Sequence, residues 1–178
     1  VSLPESGWTT FSAPVATTVP AQCNAYVVES YDASTSTAIL KLLSPGVTIA
    51  PNTGVLLNAV PNAVVEMVIT EHGAAYADNM LQPSIATTVI PTESNAYVLV
   101  SDGNNTYFAK VADSMHSAQP HSSWLKVDGS VSAEKIYLSV FNGETGIYDS
   151  LGDSSLIDNG IYNLHGQRLN AKQKGINI

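Results

Sequence analysis

Asn24-Ala25-Tyr26-Val27-Val28 returns later in the chain as Asn95-Ala96-Tyr97-Val98-Leu99. Each copy follows an Ala-Thr-Thr-Val, at residues 16–19 and 86–89. Farther on, Thr37 to Leu56 aligns without a gap on Thr106 to Leu125, so that Lys41 falls on Lys110, Pro51 on Pro120 and Leu56 on Leu125. A period near seventy residues exceeds the roughly 20–50 residues of a solenoid unit, so the pattern reads as one half-domain duplicated, with the two halves packed together.

Between these anchors the chain shows short runs of β-branched, aromatic and aliphatic residues, separated by clusters of Pro, Gly, Asn, Asp and Ser, and almost no helical periodicity. That texture predicts an all-β sandwich or barrel. Strands are expected near residues 7–11, 24–30, 37–43, 54–58 and 64–69, and again near 85–89, 95–100, 106–111, 123–127 and 136–140. A short helix is expected at 73–81. Ser101-Asp102-Gly103-Asn104-Asn105 reads as a hairpin turn, because Gly and Asn tolerate the positive φ such turns require. The matching hairpin of the first half is expected to have a loop two residues longer, because Asn24 to Thr37 spans two more steps than Asn95 to Thr106. The fold expected is therefore two related antiparallel halves, about residues 1–75 and 76–147, in a β-sandwich or paired barrel. Residues 148–160, rich in Gly, Asp and Ser, read as a linker, and 161–178 as the start of a small C-terminal β segment whose last strand looks cut short.

Composition narrows the functional classes. Of the 178 residues 44% are apolar and only 12% charged, so the polar surface is made of Ser, Thr, Asn and Gln. The net charge of −8 repels phosphate backbones and anionic membranes on average, which argues against a nucleic-acid partner. No run approaches the roughly 18 apolar residues of a membrane helix, so membrane insertion is not expected. The start at Val1, without Met or a signal-peptide profile, suggests a mature or truncated product. One cysteine, Cys23, allows neither an internal disulfide nor a multi-Cys metal site, and it reads as a small core residue beside a strand.

The tail Ile161-Tyr162-Asn163-Leu164-His165-Gly166-Gln167-Arg168-Leu169, followed by Lys174-Gly175-Ile176-Asn177-Ile178, resembles the C-terminal segment of many exported proteins of Bacteroidetes, associated in part of that group with sorting to the cell surface. Gly7-Trp8-Thr9-Thr10-Phe11-Ser12-Ala13-Pro14 and Ile49-Ala50-Pro51-Asn52-Thr53-Gly54-Val55-Leu56-Leu57 are similar to recurring segments of uncharacterised β modules in the same proteins. The resemblance implies an exported, surface-associated or extracellular protein. It brings no assigned activity and no catalytic residue.

Site chemistry is sparse. Asp113, His116 and His121 are the best metal-like set, but their spacings of three and five match no helical ligand pair, and no metal is expected. No Gly-x-Ser-x-Gly elbow orders a nucleophile. Asp102-Gly103-Asn104-Asn105 lacks the alternating acids and closing Glu of a calcium loop, and Asn104-Asn105-Thr106 fits a glycosylation sequon. The acids Glu29, Glu66, Glu71, Asp113 and Glu134 are scattered, whereas a glycoside hydrolase needs two carboxylates about 5–10 Å apart. Aromatic gain in the second half is the sharper feature: Trp124 falls on Val55 and Tyr107 on Ala38 in the alignment. Tyr107, His121 and Trp124 are therefore the candidate ligand residues, since aromatic faces beside polar groups form sugar platforms; the competing reading is that both rings fill a larger second core. The function expected is a non-catalytic exported accessory or adhesion module that binds glycan or a cell-surface protein, or spaces other domains. It needs no cofactor. A carbohydrate-active hydrolase is the alternative.

Overall fold

The computed structural model describes residues 1–91, 95–103, 105–111, 116–129, 131–141, 148–150, 161–162 and 168–169. In chain order the strands are β1 (Trp8–Phe11), β2 (Ala16–Thr18), β3 (Asn24–Asp32), β4 (Thr37–Leu42), β5 (Thr48–Ile49), β6 (Val55–Asn58), β7 (Val68–Thr70), β8 (Leu81–Ser84) and β9 (Thr88–Ile90). There follow β10 (Ala96–Ser101), β11 (Thr106–Lys110), β12 (His116–Ala118), β13 (Ser122–Lys126), β14 (Lys135–Phe141), β15 (Tyr148–Ser150), β16 (Ile161–Tyr162) and β17 (Arg168–Leu169). The protein is all-β, with no helix among the described residues.

One large sheet runs β1-β6-β3-β4-β14-β11-β10-β13-β8, and β15 pairs the far end of β14. Every pairing along it is antiparallel except β14 on β4. Read inward from either end, the order repeats: β1-β6-β3-β4 from one side, β8-β13-β10-β11 from the other, with β14 between them. The ends then approach each other, so the sheet nearly closes into a barrel. At this seam the Ser123 amide donates to Thr10 Oγ1 (3.1 Å), the Ser12 amide to the His121 carbonyl (3.1 Å) and Ser12 Oγ to the Ser122 carbonyl (2.6 Å). Gly54 makes the approach possible, because a Cβ there would lie 2.9 Å from Ser123 Cβ and 3.0 Å from Leu81 Cβ.

The barrel is filled by Tyr26, Val28, Leu40 and Leu56 from the first half, Tyr97, Phe108 and Leu125 from the second, and Ile136 and Leu138 from β14. Its outer face is covered twice. Sheet β5-β2-β7 buries Phe11, Val27, Ile49, Val55 and Leu57, and sheet β12-β9 buries Ile90, Ala96, Val111, Ala118 and Trp124. Burial on both faces explains why Ala25 to Val28 and Val55 to Leu57 are unbroken apolar runs rather than alternating ones.

Strand pairing corrects the ungapped alignment. Tyr26 stands opposite Leu42 and Leu56, and Tyr97 opposite Lys110 and Leu125. Leu56 and Leu125 correspond as aligned, but Lys110 takes the place of Leu42, not of Lys41. The cause is strand length: around turns of equal size, 33–36 and 102–105, the first hairpin has one more strand pair than the second, and β3 carries a further residue in a bulge at Glu29, between Val28 and Ser30, that β10 lacks. The loop of the first hairpin is therefore not two residues longer, contrary to expectation; the extra residues lie in the strand. A slip of one residue would turn every side chain to the other face; the pairing instead sets Leu40 opposite Val28 and Phe108 opposite Leu99, with Leu40 and Phe108 both fully buried. The Ala-Thr-Thr-Val match slips likewise, since Thr17 pairs Ile49 as Thr88, not Thr87, pairs Ala118.

Other expectations are revised. Residues 73–81 form no helix: Ala74 bridges to β5, a Cβ at Gly73 would overlap the Ile49 backbone, and Leu81 already begins β8. The segments expected to match at 64–69 and 136–140 part company, as β7 joins the outer sheet on β2 whereas β14 enters the barrel. Tyr148–Ser150, expected to open the linker, is β15 on β14. The Asp102 turn is a hairpin turn as read, closed by the Asp102 amide on the Asn105 carbonyl (3.0 Å). In the tail β16 and β17 pair as a hairpin, Ile161 opposite Leu169; residues 151–160, His165-Gly166 and the closing Lys174 to Ile178 lie outside the described residues.

Candidate functional site

The three candidate ligand residues do not meet in one surface. Trp124 is 8% exposed and packs with Ile90, Ala96, Val111 and Ala118 beneath β9 and β12. Its Nε1 is buried with no hydrogen-bond partner among the described residues. The indole is core, which corrects its reading as a sugar platform. Tyr107 is 7% exposed on β11, two strands away from β13. Its ring lies 6.2 Å from that of Tyr137, with Lys135 Nζ 4.3 Å from its centroid. Pairing also gives Tyr107 a different counterpart, Ile39 rather than Ala38. His121 alone is exposed, held at φ +60° where the chain turns into β13.

The remaining sequence candidates are quiet. Asp113 and Asn104 lie outside the described residues, and among those described no three His, Cys, Asp or Glu side chains group together. Cys23 is 2% exposed, and burial pushes its thiol up from the ordinary value. A thiol so placed holds its proton at neutral pH and is a poor nucleophile.

A concavity lies elsewhere. A cleft of about 430 Å³ opens where the β3–β4 turn meets the β13–β14 connection, lined by Tyr31, Ala33, Ser36, Asp128, Val131 and Ser132 among others. Sequence chemistry builds both walls. Asp32 caps the first turn by accepting from the Ser34 amide (2.9 Å), Ser34 Oγ (2.7 Å) and Thr35 Oγ1 (2.9 Å). These bonds, those from Ser34 foremost, hold its carboxyl below the usual range. Ser36 adopts φ +52° and its carbonyl takes the Tyr137 amide (3.0 Å), which ties the turn to β14. In the opposite wall Gly129 turns at φ +87° and its carbonyl accepts from Asn95 Nδ2.

Beneath the cleft Tyr97 anchors this wall, its hydroxyl donating to the Ala133 carbonyl at 2.9 Å. Burial, with Tyr31 and Glu134 adding to it, pushes the Tyr97 phenol up to about 12. It is therefore a permanent donor at physiological pH.

Chemically the cleft offers one carboxylate, Asp128, the phenol and ring of Tyr31, and the hydroxyls of Ser36 and Ser132. This set can hydrogen-bond and stack against a hydroxyl-rich ligand. A paired acid and base of the glycosidase kind would need a second carboxylate in the lining, and among the described lining residues Asp128 is the one acid. Asp128 and Gly129 were not among the residues singled out from the sequence, because nothing in it tells that a turn of the other half would face them.

Comparison with family models, with curated proteins and with solved structures finds no match.

Proposed function

We propose that the protein is a non-catalytic exported module of the cell surface or extracellular space that binds glycan through the cleft between the β3–β4 turn and the β13–β14 connection. The observation that carries this reading is the lining itself: an aromatic ring, one carboxylate and two hydroxyls on rigidly tied turns, the pattern by which a sugar is gripped at its C–H face and its hydroxyls. The exported, surface-associated setting rests on the likeness of residues 161–178 to the C-terminal segments of Bacteroidetes proteins.

The test is a glycan array followed by titration of any retained sugar. Tyr31→Ala is expected to weaken binding about tenfold, the loss of one stacking contact, and Asp128→Asn to weaken it in parallel. Retention of no glycan by the unaltered protein, or equal affinity in both variants, overturns the reading. Release of reducing ends from a polysaccharide would establish the hydrolase instead.

A further inference from the structure

The two halves differ most in what flanks their outer sheets. In the first, β2 lies between β5 and β7; in the second, β9 pairs β12 alone among the described residues. Thr18 stands against Thr48 as Val89 stands against Ser117. On its other side Thr18 faces Val68 of β7, whereas Val89 faces no strand among the described residues and is 59% exposed. The strand that follows β13 would have filled this place, but it enters the barrel as β14.

A second edge is open in the same way. β7 pairs β2 along one side and no described strand along the other, and Val68 and Ile69 are 58% and 72% exposed. Proteins keep exposed edges from pairing with charges, Pro or bulges. Neither Val68-Ile69-Thr70 nor Thr88-Val89-Ile90 contains any of these. Both strands are uncharged and β-branched throughout, and so fit one another.

We infer that the open edge of β9 in one copy receives the outer edge of β7 from the next, making a continuous sheet β12-β9-β7-β2-β5 across the contact. The occupant is of the kind the first half already shows beside β2, a β7 strand. Two different edges meet, so the contact is heterologous and repeats head to tail into chains or rings. Each strand spans only about 10 Å at roughly 3.3 Å per residue, so each contact is weak and assembly grows with concentration. No residue of the cleft takes part in this contact.

Sedimentation velocity on the full chain, from micromolar to millimolar, tests it. The average mass is expected to climb without stopping at two. Val89→Lys and Ile69→Lys each close one edge, and each alone is expected to stay monomeric; mixed in equal amounts, they retain one edge of each kind and should form a complex that stops at two. Both positions are exposed, and Glu at either serves as the second variant should a Lys protein lose its thermal midpoint. A wild-type protein monomeric throughout, as when a segment of the same chain covers β9, overturns the inference. So does self-association of either variant alone, or a mixture that stays monomeric.

Discussion

Trp124 shows how far a single residue can be read. Its appearance against Val55 in the aligned half was visible, and so were both explanations of it, platform or core. Burial decides for core, because the strand places position 124 on the outer barrel face under β9 and β12. Trp124→Ala is accordingly expected to cost roughly 3–5 kcal/mol of stability, measured by urea unfolding, and to leave binding in the cleft unchanged in whatever fraction stays folded. Gly54 is the opposite case, a residue whose absent side chain matters. Gly54→Ala would push a methyl against Ser123 and Leu81 at the barrel seam, and overpacking of this kind costs about 1–3 kcal/mol; a thermal midpoint equal to wild type would show that the seam gives way freely. Tyr97 yields a pH prediction. Its folded value, about 12, lies above the roughly 10 of an unfolded tyrosine, so its contribution is whole below pH ~10 and is lost as pH rises through about 12. Burial shifts Tyr26 and Cys23 upward too, so stability should fall on the alkaline side, and Tyr97→Phe should lessen that fall without abolishing it. Urea midpoints from pH 8 to 12 check the slope.

Elements were legible where both faces of a strand are buried, and much less so elsewhere. Asn24 to Ser30 and Val55 to Asn58 announce themselves as apolar runs, whereas β2, β5 and β12 are two or three residues each, of Thr, Ser, His and Ala with the single Ile49, whose pairing is what makes them strands. The expected helix at residues 73–81 failed for a related reason. Ala and Met favour a helix locally, but Gly73 lies against the Ile49 backbone and Ala74 exchanges hydrogen bonds with Thr48 and Ala50 at 2.8 and 2.9 Å. Tertiary contact overrides weak propensity. Gly73→Ala should therefore loosen the outer sheet of the first half, read as faster hydrogen exchange at Thr48 to Ala50 while the barrel amides of β10 and β11 keep their protection. Register was the least legible feature. The Lys41 and Lys110 match was persuasive as a string, yet the first hairpin is one strand pair longer than the second, and nothing in the letters Glu29-Ser30 marks the bulge that takes up the remaining residue.

For the whole molecule, the repeat predicted two related halves, and the sheet indeed contains one strand order twice. What no repeat could convey is where the copies differ. β14 leaves the place its counterpart β7 holds and becomes the shared central strand, parallel to β4 and antiparallel to β11. That single exchange joins the halves into one barrel, leaves β9 with no second strand beside it among the described residues, and carries the β13–β14 connection across to the β3–β4 turn to make the cleft. The cleft was invisible in sequence because its walls come from opposite halves, separated by about a hundred residues. Cross-strand nuclear Overhauser contacts of β14 test this account most directly. They should join Leu138 to Ala38 on one side and Ile136 to Phe108 on the other, with Tyr97 opposite Lys110 in the same spectra. Contacts from β14 to β9, in the position that β7 takes beside β2, would contradict it.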